Sequence, residues 1–136
     1  MAGKNEEFIK EILDEIESAL KDARGLAMHQ RRLAFLLSLG AVSLIEEYLS
    51  KRNVLKSGTK INHLWLKKKK ENAKKLISNQ VTCPIENLKE IDEFLKIAYE
   101  IEKERNDLAY GKKASEDTLK EKITLFLNLK KGVENA

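Results

Sequence analysis

Leu33-Ala34-Phe35-Leu36-Leu37-Ser38-Leu39-Gly40-Ala41-Val42-Ser43-Leu44-Ile45 is the longest apolar run in the chain, and its reading decides the fold. Thirteen residues, interrupted by two serines and a glycine, fall short of the ~20 that cross a bilayer, so a buried helix is expected. The pattern places that helix from about Ala27 to Ser50. A helix apolar nearly all round is touched on several sides, as at the centre of a bundle. Gly40, Ala41 and Ser43 would let a neighbour come close.

The flanking segments supply the neighbours. Phe8, Ile12 and Ile16, with Ile9, Leu13 and Leu20, form one apolar face at helical spacing. Asn5 is the expected cap of that first helix, with Glu6 and Glu7 where the helix dipole favours anions, and Gly25 ends it. Ser57-Gly58 marks a loop. Thr59 is the expected cap of a third, surface helix over about Lys60 to Ile77, anchored by Ile61, Leu64, Trp65 and Leu76. Pro84 suits the first position of a fourth helix running to about Tyr110, where Gly111 stops it. Ser115 caps a fifth, to about Lys131, with Leu119, Ile123 and Phe126 inward. The expectation is an all-α, antiparallel up-and-down bundle of four long helices and one shorter helix, a single domain over residues 1–136.

Composition agrees. One proline, six glycines and 6% aromatic residues disfavour an all-β sandwich or barrel, whose turns need Gly and Pro at short intervals. The single cysteine, Cys83, excludes a disulfide framework and a cysteine-rich zinc site. Cys83 stands before Pro84 at a helix start, where a cysteine is usually inert. His29 and His63, the only histidines, leave little for other metal chemistry, and both read as structurally bland. No Gly-rich phosphate loop, paired-histidine spacing or nucleophile elbow is present, so neither metal nor cofactor is expected. No charged-then-apolar leader opens the chain, and a soluble cytoplasmic protein without membrane contact is expected.

Charge is unevenly spread. The chain has a net charge of +4, yet the segment from Lys51 to Lys75 holds ten basic residues against Glu71 alone. Lys67, Lys68, Lys69, Lys70, Lys74 and Lys75 are its densest part and the candidate nucleic-acid contacts, because phosphate contacts supply most nonspecific nucleic-acid affinity. The alternative is a solvated helix face in a Lys/Glu-rich protein.

The fourth helix carries the one constellation with chemistry in it. Leu88, Ile91, Leu95, Ala98 and Ile101 step along one stripe whose next positions are Arg105 and Leu108. A guanidinium cannot shed its charge, so Arg105 on that stripe must find hydrogen-bond partners: it snorkels, or pairs with Asp107 or a glutamate of a neighbouring helix. Asn106 follows it, and Tyr110 lies one turn beyond Asn106.

The stretch Glu104-Arg105-Asn106-Asp107-Leu108-Ala109-Tyr110-Gly111 resembles the signature of HEPN-domain proteins, a small helical family of prokaryotic toxin systems and RNA-processing machines. Their motif is an arginine, a polar residue, four to six further residues and a histidine near the end of a late helix. The layout of nearly the whole chain is similar too. The resemblance implies a homodimer in which two motif copies face each other across a cleft, and metal-independent endoribonuclease activity where the motif is complete. Arg105 matches the family arginine and Asn106 its polar neighbour. Tyr110 takes the histidine position, and Lys112 stands where toxin members carry a tyrosine modified by a nucleotidyltransferase partner. Cleavage without a metal needs a group to take the ribose 2′-OH proton, which an imidazole does well and a phenol, with an unperturbed pKa near ~10, does poorly. The favoured expectation is therefore a dimer binding RNA or nucleotide around Arg105, Asn106 and Tyr110 without cutting it. The alternatives are an active endoribonuclease of a toxin–antitoxin type system, with Tyr110 or His63 from elsewhere replacing the missing base, and a non-catalytic helical partner of a small nucleotidyltransferase-like protein.

Overall fold

The computed structural model describes residues 3–136, and the protein is an all-α bundle. Its helices are α1 (Gly3–Lys21), α2 (Gln30–Lys51), α3 (His63–Leu66), α4 (Lys70–Ser78), α5 (Ile91–Glu102), α6 (Arg105–Tyr110) and α7 (Glu116–Asn135). Single 3-10 turns, Leu26–His29 and Ile85–Asn87, lead into α2 and towards α5. The four longest helices, α1, α2, α5 and α7, enclose the core, and the shorter α4 packs on α5.

α2 is the central element. It meets α1, α5, α6 and α7, which explains why its apolar residues run round the helix rather than along one stripe. Leu33, Leu37, Ala41, Leu44, Ile45 and Leu49 are all buried. Taken with the turn before it, Leu26–Lys51 is long and apolar enough to cross a membrane, but 67% of its most apolar window is buried against other helices of the bundle. At Gly40 the packing needs a missing side chain: a Cβ would sit 2.6 Å from Phe126 and 2.7 Å from Ile12. In α1, Ile9, Ile12 and Ile16 face the core, whereas Leu20 is half exposed. α1 already includes Gly3, so Asn5 lies inside the helix rather than at its cap.

The third and fourth stretches are each divided. Asn62, not Thr59, caps α3, its side chain accepting from the Leu64 N–H at 2.9 Å. The lysine run then interrupts the helix: Lys69 is extended (φ −54°, ψ 150°), and α4 begins at Lys70. Consecutive like charges repel within a helix, and no buried side chain lies between Leu66 and Ala73 to hold a turn together. Ahead of α5, Pro84 is extended (φ −59°, ψ 133°) and opens only the 3-10 turn, so the helix proper starts at Ile91.

The break between α5 and α6 shapes the candidate site. Glu104 takes a left-handed backbone (φ 67°), which costs a non-glycine residue roughly 1–2 kcal/mol. The buried Lys122 of α7 offsets that cost. Its ammonium donates to the carbonyls of Glu100 (2.6 Å) and Lys103 (2.9 Å), which the interrupted helix leaves free. Burial lowers the Lys122 pKa, opposed by the carboxylates of Glu104, Glu121 and Glu100.

Candidate functional site

α6 is six residues long and could not stand alone, so its position is set by α2. The buried Gln30 side chain uses its whole amide. Nε2 donates to the carbonyls of Leu108 and Lys112, both at 3.0 Å, and Oε1 accepts from the Ala114 N–H at 2.7 Å. Arg31 Nε donates to the Ala109 carbonyl at 2.9 Å. Gly111 closes the helix by donating to the Asp107 carbonyl at 2.7 Å, and a Cβ there would collide with that same oxygen. α6 is therefore capped at its C-terminal end by side chains of the helix it lies on.

This arrangement brings Arg105, Asn106 and Tyr110 together around Phe35, a residue the sequence did not single out. The Arg105 guanidinium lies over the Phe35 ring, 4.8 Å from its centroid. Tyr110 meets the same ring edge-on at 5.9 Å. Arg105 Nη1 donates to Asn106 Oδ1 across a long 3.4 Å. No ion pair involves Arg105 among the described residues, so the pairing with Asp107 or a neighbouring glutamate does not form, and Arg105 Nε is buried without a partner. Despite the helix break, Arg105 still lines the interior beside the stripe residues Ile101 and Leu108. It is half-buried, Asn106 is exposed, and Tyr110 is 70% exposed.

Beside Arg105 lies a cavity of about 240 Å³, lined by Lys67, Tyr99, Glu102, Lys103, Glu104, Asn106 and Asp107 as well as Arg105 itself. Three cations and three carboxylates share it, so its lining has no net charge. Glu102 was also missed in the sequence. It is 2% exposed, with Oε1 accepting from the fully buried Ser38 hydroxyl and Oε2 unpartnered. A buried carboxylate one turn before Arg105 looks in sequence like any other glutamate of a Glu-rich helix.

The lysines divide by position. Lys67 lines the Arg105 cavity, Lys68, Lys69, Lys70 and Lys75 project into solvent, and Lys74 is paired with Asp92 of α5 at 2.9 Å. His63 lies in a separate groove with Phe8, Leu39, Val42 and Trp65, and is not among the residues lining the Arg105 cavity. His29 is far from bland. It is buried, with both ring nitrogens held by carboxylates, Nδ1 by Glu15 at 2.7 Å and Nε2 by Asp22 at 2.8 Å. Cys83 is half-buried and free.

No family model, curated protein or solved structure matches the chain. The resemblance to HEPN domains therefore rests on Glu104–Gly111 and on the helical layout alone. Chemically, the cluster offers a fixed guanidinium for an anion, an exposed phenol for stacking or hydrogen bonding, and no imidazole.

Proposed function

We propose that this chain is a HEPN-like, cytoplasmic module that binds RNA or a nucleotide around Arg105, Asn106 and Tyr110, as a homodimer and without cutting it. The observation that carries the reading is the state of Arg105. It is braced on Phe35, free of any carboxylate partner, and next to an exposed tyrosine. A guanidinium is matched to phosphate geometry, and an aromatic face accepts any base. Lys67 and Lys103 add cations at the cavity, with the exposed lysines of the run beyond Lys67. Support for a second copy comes from the exposed Tyr110 on the half-buried Phe35, and from Leu39 (41% exposed), one turn on from Phe35 in α2. Non-cleavage is supported by Tyr110 standing where a proton acceptor is needed.

The test is binding of labelled single-stranded RNA and of nucleotides, with chelator present, to wild type, Arg105→Ala and Tyr110→Ala. Wild type is expected to bind and leave the RNA intact. A stacked base is worth about 1–3 kcal/mol, so Tyr110→Ala should weaken binding by roughly 5- to 150-fold. Equal affinity in all three proteins, or no binding at all, sinks the proposal, and RNA cut by wild type under chelator removes its non-cleaving part.

A further inference from the structure

The residues that grip α6 follow directly on a buried histidine bonded to carboxylates through both ring nitrogens. His29 ends the 3-10 turn, and Gln30 and Arg31, the next two residues, hold the C-terminal end of α6 and the loop to α7. His29 in turn ties that turn to α1, through Glu15 within the helix and Asp22 just beyond its end. We propose that the turn Leu26–His29 is a proton-operated clip: the imidazolium bridging Glu15 and Asp22 fixes the start of α2, and with it α6, and loss of that proton loosens both.

The chemistry follows from the donor inventory. An imidazolium has two N–H donors, one for each carboxylate, whereas a neutral ring has one and must turn a lone pair on the other oxygen. The two carboxylates bonded to the ring favour its charged form, while the guanidiniums that share them work against it. Arg24 binds Asp22 (2.8 Å) and Arg32 binds Glu15 (3.3 Å), so two cations balance two carboxylates, and Glu116 of α7 accepts from the Ala27 N–H of the same turn at 3.2 Å. Hydrogen bonding to Asp22 and then to Glu15 raises the His29 pKa against the opposing effect of burial. Because the folded value is raised, the clip is fully closed below the ordinary histidine value of ~6.5 and opens as pH rises through the folded value. The coupling to α6 stands by itself. Only its effect on ligand affinity rests on the proposed function.

The Ala114 N–H, bound by Gln30 Oε1, is a built-in reporter. In the full chain, NMR titration of the His29 ring is compared with hydrogen exchange at the Ala114 amide, corrected for the intrinsic effect of pH. Protection of Ala114 should fall several-fold with the midpoint of the His29 titration. Asp22→Asn, which removes the larger raising influence, should move both midpoints to lower pH together, and His29→Gln should abolish the pH dependence. Ala114 protection indifferent to the His29 proton, or midpoints that separate in Asp22→Asn, overturns the clip. Ala114 following His29 while RNA and nucleotides bind at no pH leaves the clip standing and removes the nucleic-acid reading.

Discussion

At Tyr110 the proposed absence of cleavage can be tested directly. Phe35 holds this residue by an edge contact and it is 70% exposed, so an imidazole at the same position would also be open to solvent. Tyr110→His is expected to gain metal-independent cleavage, because general base catalysis is typically worth ~100- to 10,000-fold. Arg105 would stabilise the negative charge growing on the phosphate. The product should end in a 2′,3′-cyclic phosphate, detectable by gel mobility before and after phosphatase, and Arg105→Ala in the same background should erase the gain. His29 makes a second prediction, on stability. Two charge-assisted bonds form only with the ring protonated, so His29→Ala should destabilise by roughly 1.5–3 kcal/mol at pH 6 and by less at pH 9, as read from urea midpoints. An equal loss at both pH values would mean that packing, not the proton, is what His29 contributes. Neither Phe35 nor His29 was legible as special in the sequence. Phe35 sits inside an apolar run where any aromatic looks like core, and the partners of His29 come from 14 and 7 residues away with no motif linking them.

Among the elements, long periodic helices were legible and interruptions were not. The stripe from Leu88 to Ile101 is buried as its spacing implied, because periodicity reports a face that neighbours must cover. The break at Glu104 depends on Lys122, eighteen residues on and on another helix, which no local pattern encodes. Lys122→Met keeps the length of the side chain but leaves the carbonyls of Glu100 and Lys103 without their donor. It should cost about 1–3 kcal/mol and increase amide exchange across residues 103–106. A stability unchanged from wild type, with no added exchange there, would show that water serves those carbonyls equally well. The lysine run makes a separate prediction. Replacing Lys67, Lys68, Lys69 and Lys70 by glutamine should flatten the salt dependence of RNA binding, by at most about four contacts. Because Lys67 is the one lysine of the run that lines the Arg105 cavity, Lys67→Gln by itself should weaken binding more than Lys70→Gln. If the fourfold variant keeps both affinity and slope, the run is a solvated face.

For the whole molecule, the question is whether a second copy covers the exposed Leu39 of α2, one turn on from the half-buried Phe35. A two-fold assembly would use the same patch on both copies and bring each residue near its counterpart. Light scattering at micromolar concentration should give about twice 15.6 kDa, and Leu39→Lys should return the monomer mass. A wild-type monomer under those conditions removes the shared cleft, leaving Arg105 and Tyr110 to act on one face of a single chain.

Gly40 gives the bundle a mechanical character. Phe126 of α7 and Ile12 of α1 both bear on the same bare backbone position, so three helices share one fulcrum near the middle of α2. Sliding any one of them along another would drive a side chain into that contact, whereas tilting about it would not. A tilt about Gly40 would therefore carry the Leu26–His29 turn and α6 together, since both are attached to the first turns of α2.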